Sequence, residues 1–258
     1  MKYGFGIDLG GTTVKIAYFD ETGTMLDKWE IPTDTSENGA NILKDIAASV
    51  ENYMAQNRIP RDKIIGIGIG VPGPVDEDFT VHKCINLGWG VFNIQEELGK
   101  LTGMKVYAGN DATVAALGEC WKGGGQGCRN MVFVTLGTGV GGGIIIDNKV
   151  YSGHNFAGAE LGHIVIEYNG RPCSCGRRGC WEAYSSATAL VAMTNEKIAE
   201  CAKQGRATLM TELAAQRGKV TGRTACDAMR MGDEAAREVY EVYVGYLACG
   251  LTNIVNIF

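Results

Sequence analysis

The sequence has neither a long hydrophobic run nor the leader of a secreted protein. No stretch approaches the roughly 18 consecutive apolar residues that a membrane-spanning helix needs. Met1 leads directly into the apolar, glycine-rich segment YGFGIDLGG, without the basic and hydrophobic regions of a signal peptide. We therefore expect a cytoplasmic protein without a membrane partner.

The sequence also has no excess of positive charge. Its 24 lysines and arginines are outnumbered by 29 aspartates and glutamates, which gives a net charge of −5 at pH 7. This balance provides no field that would attract nucleic acid or anionic lipid. Hydrophobic residues make up 45% of the 258 residues, enough for a sizeable core and for two small domains. We expect small-molecule partners and no nucleic-acid partner.

The nine cysteines are odd in number and mostly scattered, which suits a reducing compartment better than a disulfide framework. Three of them, Cys173, Cys175 and Cys180, follow His163 with the spacing H-x9-C-x-C-x4-C. Thiolates and an imidazole in a closed tetrahedral shell are the ligands that Zn²⁺ prefers. The spacing favours a zinc site. A disulfide pair, or unrelated cysteines in a basic loop, are the alternatives.

The chain begins with a β-β-β-α-β pattern, and a second strand, glycine turn and strand follow over 131–146. This repetition indicates an internal duplication, with the two glycine turns facing each other across a cleft between similar domains. Further helices are expected near residues 93–101, 113–121, 187–202, 209–215, 225–231 and 234–257. We expect an N-terminal α/β domain over 1–116 and a larger α/β domain over 117–258.

Two loops follow predicted strands at positions where open α/β sheets bind ligands. Residues 71–76, VPGPVD, cannot continue a sheet and form a rigid loop that contains Gly73. Asp111 lies at a strand-to-helix junction, where it is either a functional carboxylate or a helix cap. Gly73 and, further along, Asn86 are ligand-contact candidates, with ordinary turn chemistry as the alternative for each.

The segment from Glu160 to Glu182 carries the motif E-x-G-H followed by C-x-C-G-x-x-G-C-x-E. This motif resembles the zinc and sugar signature of the ROK family, and most closely that of its bacterial ATP-dependent glucokinases. The similarity extends over the chain from Ile7 onward. It implies a two-domain, ribonuclease-H-like α/β fold of the actin, hexokinase and Hsp70 superfamily, with a zinc-binding loop. It also implies a structural Zn²⁺ whose four ligands are His163, Cys173, Cys175 and Cys180.

Two glycine turns resemble the phosphate motifs of that superfamily. One glycine turn alone fits an ordinary hairpin equally well, but two matched turns after strands favour nucleotide binding. The resemblance implies that Asp8 holds Mg²⁺. It further implies that the phosphates of ATP lie against Gly10, Gly11, Thr12, Thr13 and Lys15 in the first motif and against Thr138 and Gly139 in the second.

Asp111, within the segment GNDA, resembles the general base of these kinases. The residues that resemble the sugar-binding set are Gly73, Asn110, Asp111, Glu160, His163 and Glu182. The implied reaction is ATP-dependent phosphorylation of glucose to glucose 6-phosphate. A fructokinase, an N-acetylmannosamine kinase or a sugar-sensing protein without catalysis are the alternatives. The resemblance also favours a homodimer or homotetramer.

The kinases that this chain resembles continue beyond the final helix into another strand, a glycine-rich adenosine motif and a closing helix. Here the sequence ends with the apolar residues 253–258, NIVNIF, without a glycine stop or a polar cap. From the resemblance we expect a C-terminally truncated kinase, with the sugar and phosphate residues intact and nucleotide affinity impaired.

Overall fold

The structure is a computed structural model and describes residues 1–154 and 158–258. The chain divides into two compact units. Unit 1 comprises Met1–Phe133 and Gly143–Ala159, and unit 2 comprises Val134–Gly142 and Glu160–Phe258. The domain boundary between residues 116 and 117 stays a prediction.

Unit 1 is built on a mixed five-stranded sheet. Its strands, in chain order, are β1 (Tyr3–Leu9), β2 (Thr13–Asp20), β3 (Met25–Pro32), β4 (Ile64–Val71) and, after the short pair β5 (Thr80–Val81) and β6 (Phe92–Asn93), β7 (Val106–Asn110). The order across the sheet is β3-β2-β1-β4-β7. The first three strands are antiparallel neighbours, whereas β1, β4 and β7 run parallel. The carboxyl ends of those three strands therefore meet at one edge.

Three helices belong to unit 1: α1 (Ile42–Gln56), α2 (Ile94–Thr102) and α3 (Asp111–Lys122). In α1 the buried side chains recur at helical spacing, with Ile42, Ile46 and Val50 essentially inaccessible to solvent. They belong to the core that includes the inward side chains of the sheet, such as Ile67. This periodicity is the pattern that predicts the helix from the sequence, and the β-β-β-α-β prediction is confirmed.

The strands β8 (Met131–Leu136), β9 (Val140–Ile146) and β10 (Lys149–Val150) form a three-stranded sheet in the order β10-β9-β8. Residues 137–139 connect β8 to β9, where the Gly137 N–H donates to the Gly139 carbonyl at 2.9 Å. The predicted strand, glycine turn and strand are confirmed. Both β8 and β9 contribute residues to each unit.

Unit 2 is largely helical. Its helices are α4 (Glu182–Ser185), α5 (Ala187–Gln204), α6 (Leu209–Gln216), α7 (Thr224–Arg230) and α8 (Glu234–Ile257). The N-caps of α5, α6 and α8 are Ser186, Thr208 and Asp233, whose side chains accept hydrogen bonds from backbone N–H groups of the first turn. A core that includes Met210 and Val239 lies among these helices. In the described part of the chain, no helix has both the length and the apolar character needed to cross a membrane.

Candidate active site

The shared carboxyl edge of β1, β4 and β7 collects four predicted site residues within unit 1. Asp8 is paired in register with Gly70 of β4, and Gly70 is paired with Gly109 of β7. Gly73 follows the end of β4, while Asn110 ends β7 and Asp111 begins α3. Parallel strands bring these positions together although they lie up to a hundred residues apart, so their meeting here follows from the topology.

Asn110, and not Asp111, is the N-cap of α3. Its Oδ1 accepts hydrogen bonds from the backbone N–H groups of Ala112 and Thr113, at 3.1 and 3.2 Å. Its Nδ2 donates to the Gly73 carbonyl at 3.4 Å, which ties the β4 loop to the start of the helix. The capping explanation for Asp111 is therefore wrong, because that function is already filled one residue earlier.

Asp111 is exposed at the start of α3, but neighbouring protein atoms displace part of the water around its carboxyl group. Burial raises its pKa above the usual value, and the negative charge of Asp8 adds to the increase. A hydrogen bond from the Ala112 N–H to Asp111 Oδ1, at 2.8 Å, acts in the opposite direction. A carboxylate with a raised pKa at the carboxyl edge of a sheet is a candidate general base.

The loop after β4 has an internal support that the sequence did not reveal. The buried thiol of Cys84 donates to the Pro72 carbonyl at 3.0 Å, and burial raises the pKa of this thiol. Cys84 is thus a neutral donor that fixes the loop beside Gly73. Asn86 is exposed in the short 3-10 helix Ile85–Leu87, and its contact with a ligand stays a prediction.

The first glycine turn, residues 10–12, leaves space on one side of its backbone. The Gly10 N–H donates to the Thr13 carbonyl at 3.1 Å, and Thr33 Oγ1 donates to the Gly10 carbonyl at 2.7 Å. A Cβ at Gly11 would have no heavy atom within 4 Å. Hydrogen bonds at Gly10 therefore fix the turn to the protein, while the backbone at Gly11 is open to a ligand.

Asp8 and Lys15 form an ion pair beside the first glycine turn. Lys15 Nζ lies 3.1 Å from Asp8 Oδ2, and both side chains are more than half exposed. A pair this exposed contributes little to stability. Both charged groups are therefore available to a ligand, and the Asp8 carboxylate is a hard oxygen donor of the type that Mg²⁺ prefers.

In unit 2 the second glycine turn, residues 137–139, is tied to the segment that follows the cysteine motif. Glu182 Oε2 accepts a hydrogen bond from the Val140 N–H at 3.0 Å. A Cβ at Gly139 would overlap that same oxygen, so glycine is required there for the contact to form. The turn and Glu182 therefore fit each other closely.

The start of α5 holds the other side of this turn. The Ala187 N–H donates to the Gly137 carbonyl at 2.9 Å, and Thr188 Oγ1 donates to the Thr138 carbonyl at 2.7 Å. Sequence patterns did not predict these links, because they join residues about fifty positions apart.

The predicted metal ligands His163, Cys173, Cys175 and Cys180, here called the thiol cluster, converge in unit 2. Their ligand atoms all lie within 4.8 Å of one another. Cys173 Sγ is 3.6 Å from His163 Nδ1, and the Sγ atoms of Cys175 and Cys180 are also 3.6 Å apart. Two sulfurs bound tetrahedrally to zinc at about 2.3 Å would be about 3.8 Å apart. The four residues fit a zinc ion in number, type and spacing.

The structure favours a metal site over the two alternatives for the cysteines, a disulfide pair or unrelated cysteines. All nine cysteines of the chain, which all lie in the described residues, are free, and three of them converge with a histidine.

A hydrogen bond from the backbone N–H of Arg177 lowers the pKa of Cys175 to about 6. Burial raises the pKa of Cys180 to about 12. The sulfurs of the cluster therefore differ in how readily each loses its proton.

Glu160 precedes the short 3-10 helix Leu161–His163, and His163 is its last residue. The His163 N–H donates to the Glu160 carbonyl at 3.0 Å, and the Glu160 side chain is exposed. Nδ1 is the His163 nitrogen closest to Cys173. The remaining nitrogen, Nε2, is then the one that can bind another group.

Trp181, between the last cysteine of the cluster and Glu182, is a residue that the motif analysis missed. Its indole is completely buried, and its Nε1 donates to the Tyr246 carbonyl of α8 at 3.1 Å. Gly250 of α8 allows this packing, because a Cβ there would overlap the indole ring. Trp181 thus anchors both Cys180 and Glu182 to the core of unit 2.

We expect Gly250→Ala to destabilise the protein by about 1–3 kcal/mol, because overpacking a buried aromatic ring forces side chains off their preferred rotamers. The measurement is the thermal unfolding midpoint. Gly245→Ala in the same helix is the matched control, since a Cβ there meets no atom within 4 Å and alanine favours the helix. Equal midpoints for the two variants would show that the close contact with Trp181 is unimportant.

Comparison with known proteins agrees with this architecture. A glucokinase from Halalkalibacterium halodurans is 37% identical over 253 residues, which cover 97% of this chain and 76% of the relative. The crystal structure of a ROK family glucokinase from Streptomyces griseus, in complex with glucose and AMPPNP, superposes with a TM-score of 0.79 at 31% identity and covers 99% of this chain and 80% of that one. The xylose repressor of Bacillus subtilis is 30% identical over 258 residues, or 99% of this chain and 62% of the repressor.

The mixed sheet and these similarities define the α/β fold of the sugar kinases, and the fold class predicted from the sequence is confirmed to that extent. The sequence profile of the ROK family matches residues 4–258. The chain belongs to the ROK family.

Proposed function

We propose that the protein transfers the γ-phosphoryl group of ATP to the primary hydroxyl of glucose, forming glucose 6-phosphate. The observation that carries this proposal is Asp111, a carboxylate with a raised pKa at the carboxyl edge of the sheet, with the helix cap supplied separately by Asn110. The similarity to glucokinases over nearly the whole chain supports glucose as the acceptor.

In this proposal Asp111 accepts the proton of the sugar hydroxyl while the hydroxyl oxygen attacks the γ-phosphorus. The bond from the γ-phosphorus to the bridging oxygen breaks, and the nucleoside diphosphate leaves. The proposed hydroxyl-binding groups are Gly73, Asn110, Glu160, His163 and Glu182, which offer the donors and acceptors that a polyol needs. Both oxygens of Glu182 already have protein partners, so a sugar hydroxyl would use their remaining lone pairs.

Two metal ions belong to the proposal. His163, Cys173, Cys175 and Cys180 would hold Zn²⁺ in a closed shell, where a metal ion supports the fold and has no open position for substrate. Asp8 would hold Mg²⁺, which neutralises the charge of the phosphates of bound ATP. The two glycine turns, with Thr12, Thr13, Lys15 and Thr138, would receive those phosphates.

Gly11→Ala separates the phosphate-binding function of the first turn from its role in the fold. No atom lies within 4 Å of the added Cβ, so we expect an unchanged unfolding midpoint. The methyl group would occupy the space that a phosphate oxygen needs, and the KM for ATP should rise about tenfold or more, comparable to the loss of a charge-assisted hydrogen bond. Gly118→Ala in α3, which also meets no atom within 4 Å, is the control and should leave KM unchanged. An unaltered KM in Gly11→Ala would exclude phosphate contact at this turn.

The proposed function is tested by assaying ADP formation with ATP and a panel of sugars: glucose, mannose, fructose and N-acetylmannosamine. We expect glucose to give the highest kcat/KM, with the product phosphorylated at O6. A preference for fructose or N-acetylmannosamine would replace the proposed substrate but keep the mechanism. Sugar binding by calorimetry without ADP formation would instead favour a sugar sensor, an outcome of interest because repressors are among the relatives.

A further inference from the structure

The carboxylate of Glu182 joins two parts of unit 2 that have separate functions in the proposal. Oε2 accepts the Val140 N–H at the end of the second glycine turn, at 3.0 Å. Oε1 accepts a hydrogen bond from Ser174 Oγ at 3.2 Å, and Cys173 Sγ lies 3.8 Å from the same oxygen. Ser174 stands between two ligands of the thiol cluster. One side chain therefore connects the cluster to the turn.

The turn belongs to the hairpin of β8 and β9, which are neighbours in the sheet, and this region adds further hydrogen bonds to it. Besides the Val140 contact, it is held by Ala187 and Thr188 at the start of α5. All three supports come from residues 182–188, which begin two positions after Cys180, the last ligand of the cluster. The thiol cluster and Trp181 together fix the beginning of this segment, so both bear on how the segment meets the turn.

We propose that the thiol cluster controls the geometry of the second glycine turn through Glu182, with Ser174 as a positioning residue. In the metal-loaded protein, Cys173 and Cys175 are fixed on both sides of Ser174, so its hydroxyl is held toward Glu182 Oε1. When the metal is removed the four donors are released, Ser174 loses its orientation and Glu182 can leave the Val140 N–H. Because the turn is a proposed phosphate site, this inference rests on the proposed function and extends it. Metal loading sets nucleotide affinity as well as sugar affinity.

The test is amide hydrogen exchange at Val140, resolved by NMR, in the zinc-loaded protein. Ser174→Ala removes only an exposed hydroxyl, so the variant should fold and retain its zinc. Loss of one hydrogen bond to the carboxylate should speed exchange at Val140 about three- to tenfold. Ser174→Thr retains the hydroxyl and should restore slow exchange. Chelation of zinc from the wild-type protein should speed exchange at Val140 by at least as much as Ser174→Ala does.

A second readout connects this coupling to binding. Calorimetry with AMPPNP as the probe, in the absence of sugar, should show an affinity about three- to tenfold weaker for Ser174→Ala than for the wild type. Thr188→Val is the matched control. This variant removes the hydrogen bond from α5 to the turn. It should lower AMPPNP affinity by the same factor, relative to the wild type, in the zinc-loaded and in the chelated protein.

The outcomes separate this inference from the proposed function. A zinc-loaded Ser174→Ala protein with wild-type exchange at Val140 overturns the coupling, whatever its activity. Chelated wild-type protein with unchanged exchange at Val140 overturns it as well. Faster exchange in Ser174→Ala together with wild-type AMPPNP affinity would overturn the link to nucleotide binding. A wild-type protein that fails to bind AMPPNP at all contradicts the proposed function, whereas the exchange measurement still decides whether cluster and turn are coupled.

Discussion

Asp111→Asn is expected to lower kcat by about 100-fold or more while leaving the binding of glucose and ATP nearly intact. The amide cannot accept the proton of the sugar hydroxyl. Its oxygen can still accept the Ala112 N–H that Asp111 Oδ1 accepts at 2.8 Å, so the start of α3 should keep its structure. Steady-state kinetics with glucose and ATP, combined with calorimetric binding of each, measures both parts of this expectation.

Asp45→Asn is the control for this experiment. Asp45, like Asp111, is an exposed residue in the first turn of a helix of unit 1, but it lies outside the proposed site. Its replacement should leave kcat unchanged. If Asp111→Asn kept most of its kcat, Asp111 would not be the general base.

The raised pKa of Asp111 predicts how activity and stability change with pH. Burial shifts this pKa above the usual 3.8, so the carboxylate becomes protonated at a higher pH than an exposed aspartate. We expect kcat/KM to fall with decreasing pH through the raised pKa, and Asp111→Asn should lose this acid limb. Between the pKa of Asp111 in the unfolded chain and its raised pKa in the folded protein, the folded state binds more protons than the unfolded state. The free energy of unfolding therefore decreases as the pH rises through this range. Asp111→Asn should therefore be at least as heat-stable as the wild type at pH 7.

Cys175→Ala should produce the second large effect. We expect purified wild-type protein to contain about one zinc ion per chain, and the variant to lose more than about 100-fold in metal affinity, beyond the 10- to 100-fold typical of residues that only support a ligand. Sugar affinity should fall with it, because the cluster includes His163 and stands beside Glu182. Metal analysis by mass spectrometry and calorimetric titration with glucose measure the two losses.

Cys249→Ala provides the comparison. Cys249 is another exposed cysteine of unit 2 and is not a member of the cluster, so its replacement should keep zinc content and glucose affinity at wild-type values. A zinc-free wild-type protein with full activity would contradict the proposed structural metal.

Local patterns predicted much of this architecture. The apolar spacing of Ile42, Ile46 and Val50 correctly predicted α1, and the four helices after Ala187 were predicted to within two residues at each end. The cysteine spacing predicted the convergence of the thiol cluster. These features succeeded because each depends on residues that are close together in the chain, where periodicity and ligand spacing are directly visible.

Other features depend on distant partners and could not be predicted in this way. The two-residue strands β5 and β6 are formed by pairing with each other and, for β5, with Val75, and such short segments carry no pattern of their own. The start of α3 was predicted two residues too late, because only Asp111 was considered as its cap, whereas Asn110 fills that position. The contact between Glu182 and Val140 spans 42 residues, and no local signal marks it.

The division of the chain into two units has a consequence for how the protein can be made. Unit 1 needs residues 143–159, yet residues 134–142, which precede them, belong to unit 2. During synthesis, unit 1 is therefore completed only after synthesis of unit 2 has begun. The strands β8 and β9 each contain residues of both units. Because no single cut separates the two units, any pair of fragments would divide at least one unit between them. Folding of the two units should accordingly be coupled, in contrast to the sequential folding of domains that follow one another along a chain.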